Sequence, residues 1–134
     1  MVTSVSPTPV LNTPLLIALV TLKGYQEWEK NKKPIFVEDL AEYLVELKTK
    51  GVDISSINIS GTPGEYWSED IAEFVSEGIV FGYLTHRSPI EFAPRCRRVC
   101  ANAIKGYTAE DEEIKPELKK AAQILGLDNL PLPE

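Results

Sequence analysis

A chain of 134 residues, 43% of them hydrophobic, fits one domain with an adequate but small core. Twenty acidic against fourteen basic side chains leave a net charge of −6, so the chain as a whole repels nucleic acid. The longest apolar run, Leu15 to Val20 with Leu22 beyond Thr21, is far below the roughly 20 residues of a membrane span, which excludes a membrane-crossing helix.

Residues 1–12 hold Pro7, Pro9 and several Ser and Thr without any period, and read as a flexible arm. The first 13 residues contain no Lys or Arg for the basic region of a signal peptide, so a cytoplasmic location is expected. Thr13-Pro14 reads as an N-cap followed by proline at the first helical position, and a first helix is expected to about Asn31. Leu15, Leu16, Ile17, Leu19, Val20 and Leu22 make it apolar on nearly all sides, more than the one stripe a surface helix needs. Such a helix is either central to the core or shared with a second subunit. Its last turn carries Lys30, with Lys32 and Lys33 beyond, where cations suit the helix dipole.

Pro34-Ile35-Phe36 reads as a short strand. Val37, Leu40, Ala41, Leu44 and Leu47 then form the i, i+3, i+4, i+7 stripe of a second helix, with Glu38 and Asp39 in its first turn and Gly51 closing it. Residues 52–66 keep no strict alternation and stay ambiguous, apart from a turn at Gly61-Thr62-Pro63-Gly64. Ser68 caps a third helix carrying Ile71, Phe74 and Val75 and ending at Gly78. Two β-rich runs, 79–84 and 90–93, flank His86-Arg87-Ser88-Pro89 and predict an antiparallel hairpin. A fourth helix starts after Pro94, buries Cys96, Val99, Cys100, Ala103 and Ile104, and ends at Gly106. Thr108 or Asp111 begins a last helix, restarted or kinked at Pro116, with Ile114, Leu118, Ala121, Ala122 and Leu125 inward and Gly126 as its stop. Leu130-Pro131-Leu132-Pro133 is an extended tail.

This order resembles the winged helix-turn-helix superfamily over roughly residues 14–106. Phe36-Val37-Glu38-Asp39-Leu40-Ala41-Glu42-Tyr43-Leu44 is similar to the second helix of many such domains. Phe74-Val75-Ser76-Glu77-Gly78-Ile79-Val80 is similar to the end of their third, and Ile90-Glu91-Phe92-Ala93-Pro94-Arg95 to the second wing strand entering the final helix. Gly64-Glu65-Tyr66-Trp67-Ser68 is similar to a Gly-x-Tyr-x-Ser element that precedes helix 3 in some microbial members. Two features depart from the pattern. The connection from helix 2 to helix 3 is about 15 residues against the 3–4 of a tight helix-turn-helix, and helix 3 is acidic. The expected fold is therefore mainly α with a small antiparallel β-wing. It comprises a winged helix-turn-helix-like domain over 13–106, a C-terminal helix over 107–126 and an extended tail over 127–134.

The resemblance implies a binding fold, and charge decides what it binds. Helix 3, which enters the major groove in DNA-binding members, presents Glu69, Asp70, Glu73 and Glu77, an acidic docking face or a plain solvated one. Between Gly51 and His86 there is no Lys or Arg, the side chains that normally contact phosphate. All four arginines of the chain, Arg87, Arg95, Arg97 and Arg98, fall in the wing and the start of helix 4. They are candidates to contact double-stranded DNA or an acidic protein, since guanidinium forks onto phosphate and carboxylate alike. A homodimer is expected through the last helix and helix 1, with Leu15, Leu16, Leu19 and Val20 at the contact.

Enzyme chemistry finds no support. His86, Cys96 and Cys100 are too few for a four-ligand zinc site, and the two cysteines, one helical turn apart on the core stripe, read as reduced core thiols. No phosphate loop is present, and no metal or cofactor is expected. Two readings remain open: a transcription-regulator-like DNA-binding module acting through the arginines, and a protein-interaction module that keeps the fold without binding DNA.

Overall fold

The computed structural model describes residues 10–127. The expected extended tail from residue 128 on, and the expected arm up to residue 9, lie outside these described residues. Five helices and one small hairpin follow in the order α1 (Thr13–Asn31), α2 (Val37–Thr49), α3 (Glu69–Phe81), β1 (Leu84–Arg87), β2 (Ile90–Phe92), α4 (Arg95–Glu110) and α5 (Lys115–Leu125). A single 3-10 turn, Glu112–Ile114, joins the last two helices.

α1 is the hub. It packs against α2, α3, α4 and α5, so apolar side chains are needed on every side of its first half. Leu15, Leu16, Leu19 and Val20 are each at most 1% exposed within one chain. The expectation that these four form a dimer contact is corrected accordingly: they are enclosed by the chain's own helices and present no surface to a second copy. The cap differs as well. Asn12, not Thr13, caps the helix, its side-chain oxygen accepting from the Leu15 N–H at 2.9 Å. Thr13 is the first helical residue and its hydroxyl donates to the Ser56 carbonyl. Leu11 is fully buried and Ser56 Oγ donates to its carbonyl at 2.6 Å, so the end of the expected arm is already docked.

α2 follows its stripe: Val37, Leu40, Ala41, Leu44 and Leu47 are buried, and Asp39 accepts from the Phe36 N–H at 2.9 Å. Ile35 forms an antiparallel bridge to Ile90, whose N–H donates to the Ile35 carbonyl at 2.6 Å. Residues 52–66 are irregular, with Val52, Ile54 and Ile57 tucked into the core and Ser60 bridged to Trp67.

The hairpin expected between two helices is present, but its first strand sits later than expected. α3 does not stop at Gly78; it continues to Phe81 and is capped by Gly82 at φ 83°. Gly78 serves packing. A Cβ there would stand 2.7 Å from Leu84 Cδ1 and 2.9 Å from Tyr83 Cε2, so hydrogen is the only side chain that lets the wing close on α3. Ile79, Val80 and Phe81 are consequently helical, and β1 pairs Leu84 with Phe92, His86 with Glu91 and Arg87 with Ile90, with an irregularity between Leu84 and His86.

α4 runs through Gly106, where the expected domain boundary falls, to Glu110. α5 folds back on α1 and α2, so Ile114, Leu118, Ala121 and Leu125 join the same core as Leu16 and Leu40. Tyr25, Trp28 and Phe92 form an aromatic cluster with ring centroids 5.4–5.8 Å apart. The chain is thus mainly helical, a single domain that includes its C-terminal helix. Its element order is compatible with a winged-helix topology. Among the described residues no helix is long and apolar enough to cross a membrane.

Candidate interaction surfaces on α3 and α4

α3 is placed by its N-terminus. Ser68 Oγ, fully buried, accepts from the Ile71 N–H at 3.3 Å. Asn58 Oδ1 accepts from the Glu69 N–H at 3.1 Å, which ties the irregular segment to the same helix end. Ile71, Val75 and Gly78 face inward. The opposite stripe, at i, i+4, i+8 and i+11, is Glu69, Glu73, Glu77 and Val80, all exposed.

Of the four acids expected on this face, three point to solvent. Asp70 is half-buried and its Oδ2 accepts from the Asn58 N–H at 2.9 Å, a structural role. Glu69 accepts from Trp67 Nε1 at 2.9 Å. Glu73 and Glu77 make no ion pair among the described residues. The stripe ends in two side chains that the sequence pattern does not place outward. Val80 is 79% and Phe81 63% exposed, although a strand reading would alternate them in and out. Gly82, one residue past Phe81, was the available signal, since glycine at that position ends helices in the left-handed conformation.

The four arginines are near in sequence but do not form one surface. Arg87 is exposed on the wing. Arg95 Nη1 donates to the Phe81 carbonyl at 3.4 Å, bringing the start of α4 beside the end of α3. At 100° per residue, Arg98 lies about 60° from Arg95 around α4 and Arg97 about 160° from it. Arg97 accordingly turns towards α1, lining a groove with Tyr25, Gln26, Glu29 and Lys30. Glu91 is paired with His86 Nδ1.

Between α3 and α4, over the N-terminal end of α1, lies a cleft of about 360 Å³. Ile17, Phe74, Tyr83, Val99 and Ala103 supply its apolar walls, and Asp70, Glu73 and Glu77 its charges. Burial, with Glu77 nearby, pushes the Tyr83 phenol up.

Cys96 and Cys100 are buried free thiols, as expected for core residues. The hydrogen bond between the two thiols, which favours the protonated form, together with burial pushes the Cys100 thiol well above the ordinary cysteine range, which leaves it a poor nucleophile. Among the described residues no three His, Cys, Asp or Glu side chains gather as a metal site. Comparisons with protein-family models, with curated proteins and with solved structures found no match.

Proposed function

We propose that this chain is a non-enzymatic, winged-helix-like protein-interaction module of the cytoplasm, docking a basic partner on the outward face of α3. One observation carries the reading: Glu69, Glu73 and Glu77 run without an intervening cation into the exposed Val80 and Phe81. Such a face repels phosphate at every turn. It suits a protein partner that brings Lys or Arg around a pocket for an aromatic anchor, the arrangement that concentrates binding energy at protein interfaces.

A second reading keeps DNA as the ligand. What favours it is that Arg95 and Arg98 share one side of α4, with Arg95 against the end of α3 and Arg87 exposed on the wing. In that case the wing and α4 track a phosphate backbone while α3 stays out of the groove.

A titration of the protein with random duplex DNA at low salt, beside one with a Lys-rich amphipathic model peptide, separates the two. The expected result is no measurable DNA affinity, and peptide binding that is lost in Glu73→Lys and Phe81→Ser. DNA binding that falls steeply with salt and weakens in Arg95→Ala and Arg98→Ala would overturn the protein-interaction reading in favour of the second.

A further inference from the structure

We propose that the cleft between α3 and α4 is a binding site for a small organic cation with an apolar body, an amine or ammonium joined to a ring or short alkyl frame. This site is separate from the outward stripe of α3, although Glu73 and Glu77 border both.

Its volume, about 360 Å³, lies in the roughly 300–1,000 Å³ range of small-molecule pockets and is too little for a segment of folded polypeptide. Three helices bound it, so a ligand entering it is enclosed on three sides. Ile17 from α1, Phe74 from α3, and Val99 and Ala103 from α4 give a floor and walls with little to offer a polar solute. Among the described residues, the charged side chains that line it are all carboxylates on the α3 wall, and no Lys, Arg or His is among them. Glu73 and Glu77 are not consumed by ion pairs among the described residues, whereas Asp70 is already engaged with the Asn58 N–H. The field inside therefore has one sign, and low-dielectric walls concentrate it. An anion is repelled; a neutral apolar molecule meets the walls but leaves the charge unanswered. A cation placed with its head towards Glu73 and Glu77 and its frame against Phe74 and Val99 satisfies both. The Tyr83 ring beside Glu77 adds an aromatic face on which an ammonium is favoured.

The test uses three probes of one shape: 1-naphthylmethylammonium, 1-naphthalenemethanol and 1-naphthoate, titrated calorimetrically into the full chain. The cation is expected to bind, the alcohol about tenfold or more weaker, and the carboxylate not measurably. Changing Glu73 and Glu77 together to Gln should bring the cation down to the alcohol's affinity and leave the alcohol unchanged. Both residues are exposed, so these variants keep the fold. Ala103→Leu, which fills the cleft, should abolish binding of cation and alcohol alike, and its unfolding transition checks that it is folded. Amide shifts on adding the cation should centre on Ile17, Phe74, Val99 and Ala103. Equal binding of all three probes, absence of cation binding, or binding that survives both sets of substitutions would overturn the proposal. So would uptake of a Lys-rich peptide with no uptake of the small cation, which would assign Glu73 and Glu77 to protein docking alone.

Discussion

The same substitution, Gly→Ala, should have opposite signs at two helical positions of this molecule. In a helix interior, alanine is favoured over glycine by about 0.8–1.0 kcal/mol, because glycine gives up more backbone freedom. At Gly106, inside α4, a Cβ meets nothing within 4 Å, so Gly106→Ala should collect that gain in full. At Gly78 the new methyl would stand 2.7 Å and 2.8 Å from Leu84 Cδ1 and Cγ and 2.9 Å from Tyr83 Cε2. Leu84 is 2% exposed and begins β1, so its side chain is held within the core and cannot turn out to solvent without losing that burial. Overpacking of this kind costs about 1–3 kcal/mol, which outweighs the propensity gain and leaves Gly78→Ala about 1 kcal/mol less stable. The measurement is thermal unfolding of the two variants beside the parent, followed by circular dichroism. At this chain length a change of 1 kcal/mol corresponds to a Tm shift of roughly 4 °C, upward for Gly106→Ala and downward for Gly78→Ala. Stabilisation of both variants would refute the close packing of the wing on α3, and with it the need for a glycine at position 78.

Tyr43→Phe should be neutral or stabilise by up to about 1 kcal/mol, because the buried hydroxyl finds no partner among the described residues and burial pushes its pKa up; a thermal melt that drops by more than that would show the hydroxyl is bonded. Both thiols should resist Ellman's reagent in the native protein and react on unfolding, since Cys96 is 0% and Cys100 2% exposed; stoichiometric zinc in purified protein would contradict the assignment. Glu27 is held below its ordinary value of 4.5 by hydrogen bonds from Lys23 and Asn31, against a smaller opposing effect of burial. Its folded pKa is depressed, so its stabilisation is present above about pH 4.5 and is lost as pH falls through the folded value. Glu27→Gln should therefore cost up to about 1 kcal/mol at pH 7 and nothing at pH 2, read as the urea midpoint at each pH.

Legibility in the sequence followed the contrast between faces. α2 alternates cleanly between apolar and charged positions, and its span and buried set were readable residue by residue. α1 lacks that contrast: an all-round apolar helix reports that it is covered without reporting by what, and only the packing of α2, α3, α4 and α5 around it shows that the cover is intramolecular. Ile79-Val80-Phe81 is a β-rich composition that a helix overrides, since Gly78 serves close packing with Leu84 and the chain reverses at Gly82. The arginines show a different limit. Arg95, Arg97 and Arg98 are neighbours in the chain, yet the helix turns Arg97 away from the side that Arg95 and Arg98 share. The cleft was not legible at all, because its lining comes from α1, α3, the entry to β1 and α4, which no local pattern connects.

The bridge from Ile35 to Ile90 bears on how the wing acquires its shape. A hairpin of strands this short is marginal in water on its own, and its third partner is contributed by a residue that α2 and α3 separate from it in the chain. The definition of the wing therefore rests in part on a contact that closes a loop containing both helices. Ile90 donates its amide across that closure, which makes one exchangeable proton at the edge of the molecule a gauge of the whole: it should be released when the core opens as a unit, and stay locked through any fluctuation of the wing tip alone.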